Sequence, residues 1–248
     1  MPQERSERSS GVPRALHEGS EQAEPGVPLR ALEENRRFLE AHTVLAPVPL
    51  VPEISVRVAS EVTPLWQATE AWLACRGIEP PFWAFAWAGG QALARYVLDA
   101  PETVRGLRVL DFACGGGLVG LAAVRAGAAE VASVDTDPLA AVAATMNAES
   151  ASVALDVHVG DWVGRDLRRE GFDVLLAGDV FYDATAAPRF VAWFRELAKS
   201  GVCVLAGDPG RTYVPTVRVL VRHVVHVVVP EGLEGKSTLE ARVLEVLE

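Results

Sequence analysis

Cysteine is scarce in this chain: Cys75, Cys114 and Cys203 are the three present, odd in number and far apart. That usage fits a reducing compartment and supplies neither a disulfide framework nor a zinc-ligand spacing. His158, His223 and His226 show no ligand-like spacing with cysteines or carboxylates either, so no metal is expected. Lysine is scarcer still, two residues among 23 basic ones, and the 33 acidic side chains leave a net charge of −10. An acidic balance argues against bulk electrostatic binding to nucleic acid, and none is expected as a partner. No apolar run reaches the roughly 18 residues that a membrane span needs. The first thirty residues are charged rather than apolar, so neither a secretory signal nor a membrane partner is expected, and the reading is a cytoplasmic protein. What is present is a chain of 248 residues, half of them hydrophobic. A chain this long buries about 70–75% of its unfolded surface, which excludes collagen-like, wholly disordered and small disulfide-rich classes.

Residues 1–27 mix Ser, Glu, Arg, Gly and Pro with almost no apolar periodicity and are expected to form a disordered tail. Residues 28–105 read as an N-terminal helical cap or extension. In it, Leu29, Leu32, Phe38 and Leu39 predict an amphipathic helix to about His42, ended by the Pro47 and Pro49 region. A short strand over Ile54 to Val58 and a helix over Leu65 to Cys75 follow, the latter stopped by Gly77 and Pro80-Pro81. Phe82, Trp83, Phe85 and Trp87 then place four rings in six residues, ahead of Gly89-Gly90 and a helix to about Leu98. From 106 to 248 short apolar runs alternate with Ala-rich helical stretches: Leu107 to Phe112, Glu130 to Asp135, Leu155 to Val159, Phe172 to Gly178 and Val202 to Ala206. Such runs predict a parallel sheet covered on both faces, hence a doubly wound, Rossmann-like α/β core. His223 to Val229 and Leu239 to Leu247 read as a C-terminal antiparallel hairpin.

The chemistry concentrates where strands end. Val109 to Phe112 runs into Ala113-Cys114-Gly115-Gly116-Gly117, and Gly115, Gly117 and Gly120 fit G-x-G-x-x-G. Such a turn lets a ligand approach the backbone and opens a helix N-terminus to it. Asp135 ends the next strand, where a carboxylate accepts hydrogen bonds from ribose hydroxyls. These features predict an adenosine-containing cofactor without saying which. Asp111 divides the candidates, because a carboxylate there repels pyrophosphate and favours the ammonium and sulfonium of S-adenosylmethionine. Asp161-Trp162 suits an adenine, one residue accepting from its amino group and the other stacking on its ring. Asp179 and Tyr182 follow the fourth strand of the core, at the switch point where ligands of such sheets bind, and are expected beside the transferable methyl group. Asp208 and Arg211 close the fifth and are expected to shape the substrate mouth.

From Pro80 to about Tyr213 the chain resembles the seven-β-strand, class I S-adenosylmethionine-dependent methyltransferases. More narrowly, it is similar to the family that methylates lysines of the electron transfer flavoprotein β-subunit. The resemblance rests on the segment from Phe82-Trp83 to Trp87-Ala88-Gly89-Gly90-Gln91, on Asp111 to Gly117, on Gly178 to Asp183 and on Gly207 to Arg211. It implies that Trp87 and the Gly115 to Gly117 loop contact the cofactor, Asp135 its ribose, and Asp161 with Trp162 its adenine. It places Asp179 near the acceptor amine. Independently of the resemblance, aromatic faces suit a cationic donor and an incoming ammonium, so Phe82, Trp83, Phe85 and Trp87 are read as a cofactor lid and lysine channel, with Phe82 and Trp83 along the substrate path. Ala113 departs from the class, which usually has glycine there. The resemblance implies a protein substrate presenting lysine. A small-molecule N-methyltransferase with a nicotinamide-like acceptor stays open, as does a non-enzymatic cofactor-binding protein. A nicotinamide-dinucleotide oxidoreductase is opposed by Asp111 and by the lack of a Tyr/Lys hydride-transfer pair.

Overall fold

The computed structural model describes residues 29–59, 65 and 80–248. The tail expected over 1–27 and, but for Leu65, the helix expected over Leu65 to Cys75 lie outside the described residues. Helix α1 (Leu29–His42) forms where the apolar spacing predicts it. It ends at Thr43, whose Oγ1 donates to the Leu39 carbonyl at 2.6 Å. Beyond it the chain turns extended rather than irregular. Strand β1 (Val44–Val48) runs through Pro47 and pairs antiparallel with β2 (Val51–Val58), with a bulge at Pro47/Val48. Proline is tolerated in an edge strand and at a bulge. The N-terminal extension, expected to be helical apart from one short strand, therefore also contains a β-hairpin.

Helix α2 (Ala88–Asp99) leads into the core elements β3 (Arg108–Phe112), α3 (Leu118–Arg125), β4 (Glu130–Asp135), α4 (Pro138–Ala151), β5 (Asp156–Val159), β6 (Val174–Gly178), α5 (Ala186–Lys199) and β7 (Cys203–Asp208). The hairpin strands β8 (Val219–Val228) and β9 (Thr238–Val246) follow, joined through the single helical turn α6 (Glu231–Glu234). The sheet has seven strands in the order β5-β4-β3-β6-β7-β9-β8. β3 pairs in parallel with both β4 and β6, so the chain winds out to β5 and returns on the other side of β3, creating the expected switch point. The hairpin is antiparallel as expected, with its later strand β9 inserted between β7 and β8.

Both faces of the sheet are covered because its strands are apolar on both sides. Along β3, Val109 faces the layer holding Leu93, Val97, Val119 and Ala123, while Leu110 and Phe112 face Trp193, Phe194 and Leu197. Alternation then places Asp111 on the Val109 side, beneath α3. Helix α2 lies in that same layer, contributing Ala88, Ala92, Leu93 and Val97. Among the described residues no helix is long and apolar enough to cross a membrane.

Candidate active site

The glycine loop is built by backbone hydrogen bonds to two carboxylates. Gly120 N–H donates to Asp111 Oδ2 at 2.8 Å, tying the first turn of α3 to the end of β3. Gly115 N–H donates to Asp135 Oδ2 at 2.9 Å and Asp137 N–H to Asp135 Oδ1 at 3.0 Å, tying the loop to the end of β4. Gly117, at φ +76°, is the residue before α3, and a Cβ there would stand 3.0 Å from that of Ala144, so both torsion and space require glycine. Ala113 also holds a left-handed φ, +52°, where glycine would be unstrained. The residue before α3 is a glycine with no capping side chain, and of the first-turn amides Gly120 N–H is taken by Asp111.

Asp111 is 1% exposed. Burial pushes its carboxyl up to about 8, against the Gly120 N–H, which works to lower it, and with the help of Asp135. At neutral pH it is mainly a protonated hydrogen-bonding group beneath the loop. Desolvation thus works against the charge on which the expected choice of a sulfonium over pyrophosphate rests, and Asp135 is the less buried of the two carboxylates. Asp135 is also raised by burial, with the Asp137 and Gly115 amides opposing. With the Asp137, Gly115 and Thr136 amides on it, Asp135 keeps acceptor capacity for a hydroxyl. A helix N-terminus begun by glycine, a loop that turns through left-handed torsions and a carboxylate with acceptor capacity left fit the ribose end of S-adenosylmethionine.

The adenine pair is arranged less simply. Asp161 accepts from Val163 N–H and from Arg189 Nη2, both at 3.0 Å, and its carboxyl lies below the usual range mainly through the Val163 bond. Trp162 is buried in the core beside Phe172, and the Arg165 guanidinium covers its ring at 4.0 Å. Its expected role as an open stacking platform is not what the packing provides, because Arg165 already occupies a face of the indole. Trp83, expected along the substrate path, is likewise buried, among Leu39, Ala143 and Met146, and among the described residues its Nε1 has no hydrogen-bond partner. Its carbonyl would meet a Cβ on Gly116 at 3.2 Å, so the aromatic segment roofs the loop. Phe82 stays on the surface, 5.5 Å from the half-exposed Tyr182 ring and 6.2 Å from Trp87, whose Nε1 donates to the Phe82 carbonyl at 2.7 Å.

On the other side of the switch point the start of α2 is pressed against the ends of β6 and β7. A Cβ on Gly89 would lie 2.3 Å from the Gly207 carbonyl oxygen, and one on Gly207 would lie 2.0 Å from that of Gly89. Only paired glycines permit this approach, which brings Gly90 N–H to Asp179 Oδ2 at 2.9 Å. Asp179 itself has φ +56° and is 7% exposed. Arg211 donates to its Oδ1 through Nε at 3.2 Å and Nη2 at 2.9 Å. Burial raises the Asp179 carboxyl to about 6 even with Arg211 opposing it. Asp208 uses Oδ1 to hold Gly210 N–H at 2.6 Å and Arg211 N–H at 2.7 Å, which fixes the loop that carries Arg211, while its buried Oδ2 has no partner among the described residues. Arg211 also lies over Trp87, 5.5 Å from the ring centre. Asp179 and Tyr182, expected beside the methyl group, Asp208 and Arg211, expected at the mouth, Trp87, expected at the cofactor, and Phe82, expected on the substrate path, thus belong to one neighbourhood.

Three contributors escaped the sequence reading. Asn147, fully buried in α4, donates to the Gly116 carbonyl at 2.8 Å and accepts from Arg57 N–H at 2.8 Å, locking the glycine loop to β2. A polar amide inside the Ala-rich stretch of α4 was the one available sign. Gln91 holds the Ala86 carbonyl at 2.6 Å, and Glu234 grips Arg211. An open hollow of about 820 Å³ lined by Trp193, Arg195, Lys199 and Arg218 contains none of the site residues.

Comparison with known proteins agrees with this geometry. A family model described as ribosomal protein L11 methyltransferase matches residues 91–181. A Xenopus laevis protein named electron transfer flavoprotein beta subunit lysine methyltransferase is 40% identical over 179 residues, covering 71% of this chain and 70% of the relative. The Homo sapiens protein of the same name is 35% identical over 182 residues, covering 72% and 67%. A Streptococcus mutans structure described as a SAM-dependent methyltransferase superposes with a TM-score of 0.53 at 11% identity, over 83% of this chain and 56% of that one, and so shares the fold.

Proposed function

Because the chain belongs to the electron transfer flavoprotein β-subunit lysine methyltransferase family, we propose that this S-adenosylmethionine-dependent enzyme methylates lysine side chains of that flavoprotein subunit. The observation that carries the reading is the placement of Asp179, a buried carboxylate beside exposed aromatic rings, at the switch point next to the glycine loop.

S-adenosylmethionine supplies an electrophilic methyl group on its sulfonium. The protein's task is to hold an acceptor nitrogen in line with it and to help that nitrogen lose a proton. A lysine with an ordinary pKa of about 10.4 is neutral only roughly once in 2,500 molecules at pH 7, a handicap of about 4.6 kcal/mol. Phe82 and Tyr182, whose rings touch each other, lower that barrier by partly desolvating the amine as it passes over them. Asp179 orients it. Both lone pairs of Oδ1 are taken by Arg211 and one on Oδ2 by Gly90, which leaves a single acceptor direction on Oδ2. A carboxylate titrating near 6 is ionised at pH 7, so it steadies an ammonium first and takes its proton second.

The test is incubation of the purified protein with methyl-labelled S-adenosylmethionine and purified electron transfer flavoprotein. Label on lysines of the β-subunit is the expected result. Label found only in small molecules such as nicotinamide, from a cell extract offered in parallel, contradicts it.

A further inference from the structure

The connection between the last two strands reaches back to the acceptor mouth. Helix α6 is a single turn held by Glu234 N–H to the Pro230 carbonyl at 3.1 Å and by Gly235 N–H to the Glu231 carbonyl at 2.8 Å, with Gly235 in the left-handed region at φ +67°. It presents Glu234, whose side chain is 6% exposed, to Arg211. The two interact through paired bonds, Nη1 to Oε2 at 3.0 Å and Nη2 to Oε1 at 2.8 Å, the fork geometry that fixes a guanidinium in both position and plane. The adjacent edge of the same guanidinium, formed by Nε and the shared Nη2, holds Asp179 Oδ1. Glu234, Arg211 and Asp179 thus form a continuous chain from the C-terminal hairpin to the methyl-acceptor carboxylate.

The order of charges matters. Arg211 alone would cancel Asp179 and repel an incoming ammonium. Glu234 returns the neighbourhood to one net negative charge, before Asp208 is counted. It also holds the guanidinium on Oδ1, leaving the free lone pair of Oδ2 for the amine. We infer that Glu234 is a positioning residue for the acceptor lysine, acting through Arg211 to keep Asp179 both oriented and electrostatically available. The inference rests on the lysine-methyltransferase reading and deepens it. The groups facing Asp179 are Arg211 and Asp208 from the end of β7 and the loop beyond it, Tyr182 from its own loop, and Gly90 N–H from α2. Glu234 enters through Arg211.

The experiment compares wild type, Glu234→Gln and Glu234→Asp with the flavoprotein β-subunit as methyl acceptor. Removing one charge near the amine is expected to raise KM for the protein substrate roughly tenfold. The affinity for S-adenosylhomocysteine stays unchanged, the melting temperature falls as a buried ion pair is broken, and Glu234→Asp recovers most of the KM. An unchanged KM in Glu234→Gln, a parallel loss of nucleoside affinity, or no recovery in Glu234→Asp overturns the proposal. Independently of any substrate, the Asp179 carboxyl followed by carbon-13 NMR should titrate at lower pH in Glu234→Gln, since the uncompensated Arg211 then favours the carboxylate; an unmoved midpoint also overturns it. If wild type leaves the β-subunit unlabelled, the choice of substrate fails, while the titration still decides the role of Glu234.

Discussion

The two halves of the site are held by different kinds of bond. In the cofactor half, Asp111 and Asp135 are satisfied by backbone amides of the loop they support, Gly120 and Gly115, nine and twenty residues away. In the acceptor half, Asp179, Arg211 and Glu234 are satisfied largely by each other, across 32 and 23 residues of sequence. A loop built from its own amides is indifferent to most side-chain changes nearby. An ion chain responds to every member, because removing one charge leaves the next uncompensated in a desolvated setting. The cofactor half is therefore a feature of the winding of the chain, and the acceptor half a device in which specificity is tuned.

The largest effect is expected where the halves are joined. Gly207→Ala places a methyl group in the Gly89 backbone, and loss of about 3 kcal/mol or more of stability, or failure to fold, should be read by chemical denaturation. Gly90→Ala, one residue along from the pinched Gly89, meets nothing within 4 Å and should leave stability unchanged or slightly raised. Next in size, Asp179→Asn should keep the fold and lower turnover roughly a hundredfold, about 2.7 kcal/mol. The acid limb that wild-type kcat/KM shows near pH 6 should vanish with it, as a pH–rate profile would record. In the cofactor half, Asp111 binds a proton more tightly folded than unfolded, so its contribution to stability is fully present below the unfolded value of about 3.8 and is lost as pH rises towards about 8. Asp111→Asn should therefore stabilise the protein by an amount that grows from pH 5 to pH 8, on the order of a few kcal/mol at the upper end. Melting temperatures across that range check it, and a constant difference would contradict the burial argument. The smallest effect is Ala113→Gly, which relieves a left-handed torsion and should add about 1 kcal/mol in denaturation.

The same contrast explains what the sequence disclosed. The doubly wound core was legible because its strands are apolar runs with no other use, and the glycine loop because turn, helix start and carboxylate spacing are all local. The hairpin β1–β2 was hidden by Pro47 and Pro49: Pro47 is tolerated at a bulged edge strand, and Pro49 sits in the turn rather than ending the structure. Asp111 was given a charge that burial opposes, since a one-dimensional reading contains no solvent. Trp162 and Trp83 were named from their ring chemistry, whereas the core claims both rings. Glu234 was illegible for a related reason: an exposed-looking glutamate in a Gly- and Glu-containing loop shows its use only when the hairpin folds back on Arg211.

The most direct test of this division is calorimetric titration of S-adenosylhomocysteine into Asp135→Asn and Asp179→Asn. The account predicts that Asp135→Asn, which loses a charged acceptor for the ribose, binds at least about tenfold more weakly than wild type, while Asp179→Asn binds as wild type does. Equal losses in the two variants, or a loss confined to Asp179→Asn, would contradict it.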